Sequence, residues 1–215
     1  MNLENMKLPW MTLLEENAEA IVEEWKNLPE DMMFEWMQAD MKHMTAIMLY
    51  FHGGISPFAD LCPVLMETVL AFPRLRSVTI QTMQPGGHLP PHKGATAGLL
   101  RAHLGLEVPE DKCWIEVEGK RSFFKTGETF LFDDWKVHEV MNESEVTRTN
   151  LIIDCWAPFS VPGQRVRRVA HMFAHKVGAK RSSIGEYFDA TMEFATDYKA
   201  KHPELFPGHQ AQMQG

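Results

Sequence analysis

The chain has 215 residues, 45% of them hydrophobic and 23% charged; this is the balance of a globular domain, and a chain of this length buries roughly 70% of its unfolded surface without staples. Twenty-nine acidic side chains against 21 basic ones set the formal charge at −8, so the basic footprint of a nucleic-acid binder is missing. No apolar run approaches the ~20 residues of a membrane span, the opening segment lacks the pattern of a secretory signal, and three scattered cysteines form no CxxC pair or disulfide framework. The expected compartment is the cytoplasm.

In chain order, Thr12 and Glu15 make a capping box before an apolar helical face of Leu14, Ala18, Ile21, Val22 and Trp25, which Pro29 ends. A second helix is expected over 32–43, where Met32, Met33, Met37 and Met41, with Met44 and Met48 beyond, read as pliable core. A strand is expected over 46–51, broken at His52-Gly53-Gly54, and Cys62-Pro63 opens a short helix that Pro73 closes. Short strands are expected over 77–83, 98–106, 113–117, 129–132 and 147–156, with a Pro/Gly loop over 85–91. Such a series points to a mainly β sandwich or barrel. Past Pro158, Arg165, Arg167, Arg168 and Lys176 lie in a basic helical stretch; an amphipathic helix over 184–199 follows, with a frayed tail from His202. The expected organisation is a helical segment over 1–45, a β core over 46–160 and a helical extension over 161–215.

Polar residues occupy strand positions where a plain core would want aliphatics. Alternation puts Leu99, Arg101 and His103 on one face, and Arg148, Asn150 and Ile152 on one face of the last strand. Turned inward, these faces bring two arginines and a histidine into the interior. A buried guanidinium without an acid beside it is costly unless an anion partners it, so the pattern asks for a ligand with carboxylates or phosphates; ion pairs at a sheet edge are the alternative. His92 and His138 are the metal candidates, since neutral imidazole suits iron, copper, zinc or nickel. Arg148 follows His138 by one hairpin. His171 and His175, four apart, lack the glutamate of a zinc-protease motif and read as a solvated helix face. His88, Trp135 and Trp156 are candidate pocket neighbours with equally good packing roles.

Pro91-His92-Lys93-Gly94, the run from Leu100 to Leu106, Phe132-Asp133-Asp134, His138-Glu139-Val140 and Arg148 together resemble the aspartyl/asparaginyl beta-hydroxylase family of Fe(II)- and 2-oxoglutarate-dependent oxygenases. The resemblance covers roughly 46–158. It implies a double-stranded beta-helix (jelly-roll, cupin-like) core of eight strands with helices from both ends packed outside. It further implies that His92 and His138 ligate iron, that Arg148 pairs with the distal carboxylate of 2-oxoglutarate, and that Arg101 and His103 contact its other end, with Gln81 donating a hydrogen bond. The implied reaction consumes O2 and 2-oxoglutarate, hydroxylates a C–H bond of a small-molecule or peptidyl substrate, and releases succinate and CO2. Gly94 stands where many such enzymes carry a carboxylate ligand; Asp133 and Asp134 read as orienting groups behind the metal. The vacancy also fits a 2-oxoglutarate-dependent halogenase, and the non-enzymatic alternative is a cupin-like anion-binding module. Thr79 and Leu99 fall where family members hold an acidic substrate side chain with basic residues, so the expected substrate is not an aspartate in a folded disulfide-rich domain.

Overall fold

A computed structural model describes residues 8–35, 43–94, 96–157 and 183–206. Two helices open the described chain, α1 (Pro9–Glu16) and α2 (Ala18–Lys26), separated by Asn17. Proline in the first turn sets the start of α1, three residues ahead of Thr12, so Thr12 is an exposed interior residue and not the cap expected from the capping box. The Glu15 carboxylate instead accepts from the Thr129 backbone N–H at 3.1 Å. A helix over 32–43 is not formed in its described part. Glu30–Met32 is a single 3-10 turn, and Phe34–Glu35 (β1) pairs antiparallel with the next strand, a case of tertiary pairing overriding local propensity. Residues 36–42 lie outside the described residues, as do 158–182, which hold the expected basic helix with His171 and His175.

The remaining elements are β2 (Met44–Phe51), β3 (Gly54–Ile55), α3 (Pro63–Leu70), β4 (Leu75–Met83), β5 (His88–His92), β6 (Leu99–Glu107), β7 (Cys113–Val117), β8 (Lys120–Phe123), β9 (Thr129–Asp133), β10 (His138–Asn142), β11 (Arg148–Trp156) and α4 (Ser183–Lys201). The expected Pro/Gly loop over 85–91 contains a strand: β5 carries two prolines and sits at the edge of its sheet, where missing N–H donors are tolerated. The tail is not frayed through Phe206, which is buried beneath the Lys199 ammonium.

Strands β4 to β11 form the expected eight-stranded jelly roll. One sheet runs β1-β2-β4-β11-β6-β9, with β3 beside β2, and the facing sheet runs β5-β10-β7-β8. Alternation divides the larger sheet into two faces. Val78, Ile80, Leu100, Ala102, Leu104, Leu151 and Ile153 point outward into a core shared with Leu14, Ile21, Leu65 and Val69 of α1–α3. Leu14 and Ile21 are 0% and 1% exposed, and each contributes about 1.5–3 kcal/mol through burial. The Glu24 carboxylate of α2 accepts the first free backbone donors of α3, Val64 N–H at 2.6 Å and Leu65 N–H at 2.9 Å, which ties the two helices together. With the apolar faces thus spent on the helices, the other faces of β4, β6 and β11 are left for polar residues inside the roll.

Candidate active site

His92 and His138 stand directly opposite each other on β5 and β10. Their ring centroids are 4.1 Å apart. Each Nδ1 lies 2.8 Å from a backbone carbonyl two residues back, Pro90 for His92 and Lys136 for His138. A carbonyl only accepts, so both Nδ1 atoms carry the proton and both Nε2 atoms keep their lone pairs. Burial holds both rings neutral: it lowers His92, and it drives His138 down to about 4, with the neighbouring His92 adding to the effect. Neutral, backbone-oriented imidazoles with free Nε2 lone pairs are donors that could hold a transition metal. Among the described residues no cluster of three or more histidine, cysteine or acidic side chains is placed to hold a metal.

The pair opens into a cavity of about 180 Å³ between the two sheets. Its polar lining comes from the inward faces of β4 (Ser77, Thr79, Gln81), β6 (Arg101, His103) and β11 (Asp154), and its apolar lining includes Met44 and Met48 of β2, Ile152 of β11 and Ile184 of α4. Gln81 and His103 are thus both brought to the cavity wall. His103 is buried, and its Nδ1 accepts from the Asn150 side-chain amide at 3.2 Å, which leaves the proton on Nε2. Burial, reinforced by the charges of Arg148 and Arg101, keeps the ring neutral.

Arg101 lines the cavity but is not a free cation. Its Nε and Nη2 donate to the two oxygens of Asp154 at 2.8 and 2.9 Å, and its Nη1 stands 2.8 Å from Oδ1 of Asp134. Burial opposes its charge, yet the two carboxylates outweigh that and raise its pKa further. Asp154 also accepts from Ser77 and pairs with the buried Arg76 at 3.5 Å. Burial pushes the Asp154 carboxyl up, but Arg101 and Arg76 hold it below the usual carboxylate range. Asp134 is raised to about 6, because burial there exceeds what Arg101 returns. Its Oδ1 lies 3.9 Å from Nε2 of His138, and its backbone carbonyl accepts from Gly94 N–H at 2.8 Å. Asp154 and Arg76 were missed in the sequence. Asp154 shares the strand face of Arg148, Asn150 and Ile152, so alternation marks it; nothing local marks Arg76.

Arg148 is 0% exposed, and none of its three nitrogens has a hydrogen-bond partner among the described residues. Burial lowers its pKa to about 10. It sits one ring behind the cavity wall: its guanidinium lies 5.1 Å from the Phe124 ring centre, Phe124 stacks on His103 at 5.2 Å, and Met83, the cross-strand partner of Arg148, lines the cavity. A buried cation without a hydrogen-bond partner is costly unless an anion comes to pair with it. Of the remaining candidates, His88 pairs with Glu139 at 3.0 Å on the surface, Trp135 is exposed, and Trp156 is half-buried.

A family model described as aspartyl/asparaginyl beta-hydroxylase matches residues 10–158, more than half of the chain. The chain belongs to this family. It is 31% identical over 171 residues to the ornithine lipid ester-linked acyl 2-hydroxylase of Rhizobium tropici, covering 74% of this chain and 61% of that protein. It is 36% identical over 92 residues to the human aspartyl/asparaginyl beta-hydroxylase, covering 43% of this chain and 12% of the human protein. The chain thus spans less than two thirds of either relative's length. Among solved structures, it is similar to the cupin domain of Schizosaccharomyces pombe Cnp3 with a TM-score of 0.41 and 8% identity, over 61% of this chain and 71% of that one. The beta-hydroxylase family match begins at α1 and ends just past β11, so it takes in both imidazoles and Arg148.

Proposed function

We propose that this chain is an Fe(II)- and 2-oxoglutarate-dependent hydroxylase that inserts oxygen into an unactivated C–H bond of an amino-acid, peptidyl or other small substrate. The observation that carries the reading is Arg148, a buried guanidinium with no partner, placed behind a cavity that also holds two imidazoles with free Nε2 atoms. Neutral nitrogen donors suit iron, and a keto-diacid has one end for a metal and a second carboxylate for a cation, which a monoanion lacks. The two relatives are named for different substrates and the same reaction type, which supports hydroxylation over any particular substrate.

His92 and His138 would hold the metal through Nε2. When bound, iron supplies the activation of O2 and the oxidising power for the C–H bond. The protein's own residues do the rest. Arg148, the cross-strand partner of the cavity-lining Met83, would neutralise the distal carboxylate. Neutral His103, oriented by Asn150, offers its Nε2–H, and Gln81 offers its amide. Arg101 holds Asp134 beside His138 and leaves the cavity with no net charge from that cluster. The hydroxylating reading is favoured over the halogenating one because the Asp134 carboxylate lies where a β-carbon on Gly94 would fall, beside His92 and His138.

Anaerobic titration of the metal-free chain with Fe(II) and then 2-oxoglutarate tests the proposal. The expected result is a weak visible charge-transfer band and succinate release on exposure to oxygen. Saturable 2-oxoglutarate binding with neither band nor succinate makes the chain an anion-binding module instead.

A further inference from the structure

We propose that the Lys93 ammonium is an anion subsite at the mouth of the cavity, and that it holds a carboxylate or phosphate group of the substrate there while an uncharged part reaches inward; the inference rests on the hydroxylase reading above. The charged side chains of the lining, among the described residues, are Lys93, Arg101 and Asp154, and they are used differently. Arg101 has all three nitrogens turned to Asp154 and Asp134. Asp154 is shared by Arg101, Arg76 and Ser77. Lys93 is exposed and meets no acid among the described residues. An incoming anion therefore finds its free cation at Lys93, whereas an incoming cation meets that ammonium first and finds both carboxylates already held.

Position separates this cation from the one assigned to the cosubstrate. Register sets Arg148 opposite Met83, and Asp154 opposite both Ser77 and Arg101; the six residues between Arg148 and Asp154 span roughly 20 Å along β11. Lys93 belongs to the Arg101 end. Its neighbour Gly94 donates to the Asp134 carbonyl at 2.8 Å, and Asp134 is held in turn by Arg101. On the other side, His92 is in register with His138, and its Nδ1 donates to the Pro90 carbonyl. The backbone of Lys93 is thus fixed from both sides while its side chain is left free. A flexible stem ending in a point charge suits an anion arriving from solvent. Past the mouth, Thr79, Gln81, Met48, Ile152 and Ile184 offer neutral walls, so the charge stays at the rim and the rest of the substrate goes in without one.

The test uses the full chain, loaded anaerobically with Fe(II) and 2-oxoglutarate, and probes of one shape that differ in charge. These are N-acetylleucine and its phosphonate analogue (anionic), N-acetylleucinamide (neutral) and leucinamide (cationic). Calorimetry at low salt should rank the anions first and leucinamide last, and the ranking should flatten at about 0.5 M salt; the order of the two anions tells a carboxylate from a phosphate site. Lys93→Met should weaken N-acetylleucine by about fivefold, the upper range for an exposed ion pair, and leave the neutral amide unchanged. Lys93→Glu should reverse the ranking. Both variants should melt with the parent, since the side chain is exposed. Equal affinities across the series, no binding by either anion, or the parent's ranking kept in Lys93→Met overturns the inference, while a visible band and succinate release keep the hydroxylase reading. Weakened 2-oxoglutarate in Lys93→Met also overturns it, by giving Lys93 to the cosubstrate. The expected ranking and its reversal, with neither band nor succinate, support the inference and remove the hydroxylase reading.

Discussion

A β-carbon on Gly94 would fall inside the carboxylate of Asp134. The position two residues after His92 is thus not an empty ligand site: Asp134 occupies its space and is held there by Arg101 and by the bond from Gly94 N–H to its own carbonyl. Gly94→Asp should therefore not restore a three-ligand site. It should displace Asp134 and destabilise the chain by about 1–3 kcal/mol, the cost of overpacking. Thermal melts of Gly94→Ala, Asp134→Gly and the double variant check this; the double variant should recover part of the loss.

Arg148 meets only the Phe124 ring and has no hydrogen-bond partner among the described residues, so burial of its charge costs the ligand-free chain stability. Arg148→Met should melt at the same temperature as the parent or higher without cosubstrate. With 2-oxoglutarate and metal, the parent should gain thermal stability and the variant should not. Cosubstrate affinity should fall by about 2–5 kcal/mol, read by calorimetry.

Asp154 is the opposite case, a carboxylate shared by two arginines, one of them buried. Asp154→Asn should leave Arg76 and much of Arg101 uncompensated and cost about 3 kcal/mol, measured by urea denaturation. It should also loosen Asp134, so Fe(II) affinity should drop although neither imidazole is touched.

The histidines set the response to acid. His138 titrates at about 4 in the fold against an ordinary value of 6.5, and His92 and His103 are shifted the same way. Between these limits the unfolded chain binds more protons than the folded one, so stability present above pH 6.5 is lost as pH falls towards 4, by roughly 3 kcal/mol for His138. Asp134, raised from 3.8 to about 6, acts with the opposite sign over its own window and offsets part of the loss. Melting temperature of the metal-free chain should fall on acidification through this range, and Asp134→Asn should steepen the fall.

Glu24 has a separate, purely structural role. Glu24→Ala removes the acceptor of two backbone donors at the start of α3 and should cost about 1 kcal/mol, seen in urea melts with Fe(II) and 2-oxoglutarate affinities unchanged.

Alternation along 99–106 and 147–156 was enough to place Arg101 with His103 on one strand face and Arg148 with Asn150 on one face of the last strand, because strand side chains alternate whatever the neighbours do; that these faces turn inward was decided by the tertiary structure. Pro63 marked the start of α3, whereas the capping pair Thr12 and Glu15 pointed to a later start for α1 than the structure shows. What the sequence alone left open was which inward charges are already satisfied. Arg101 and Arg148 read alike along their strands, yet one meets Asp154 and Asp134 and the other meets only Phe124. That distinction comes from contacts between residues dozens of positions apart, which local periodicity does not encode. The same holds for Gly94, whose meaning depends on a carboxylate forty residues away, and for Ile184, which enters the cavity only because α4 packs back onto β2.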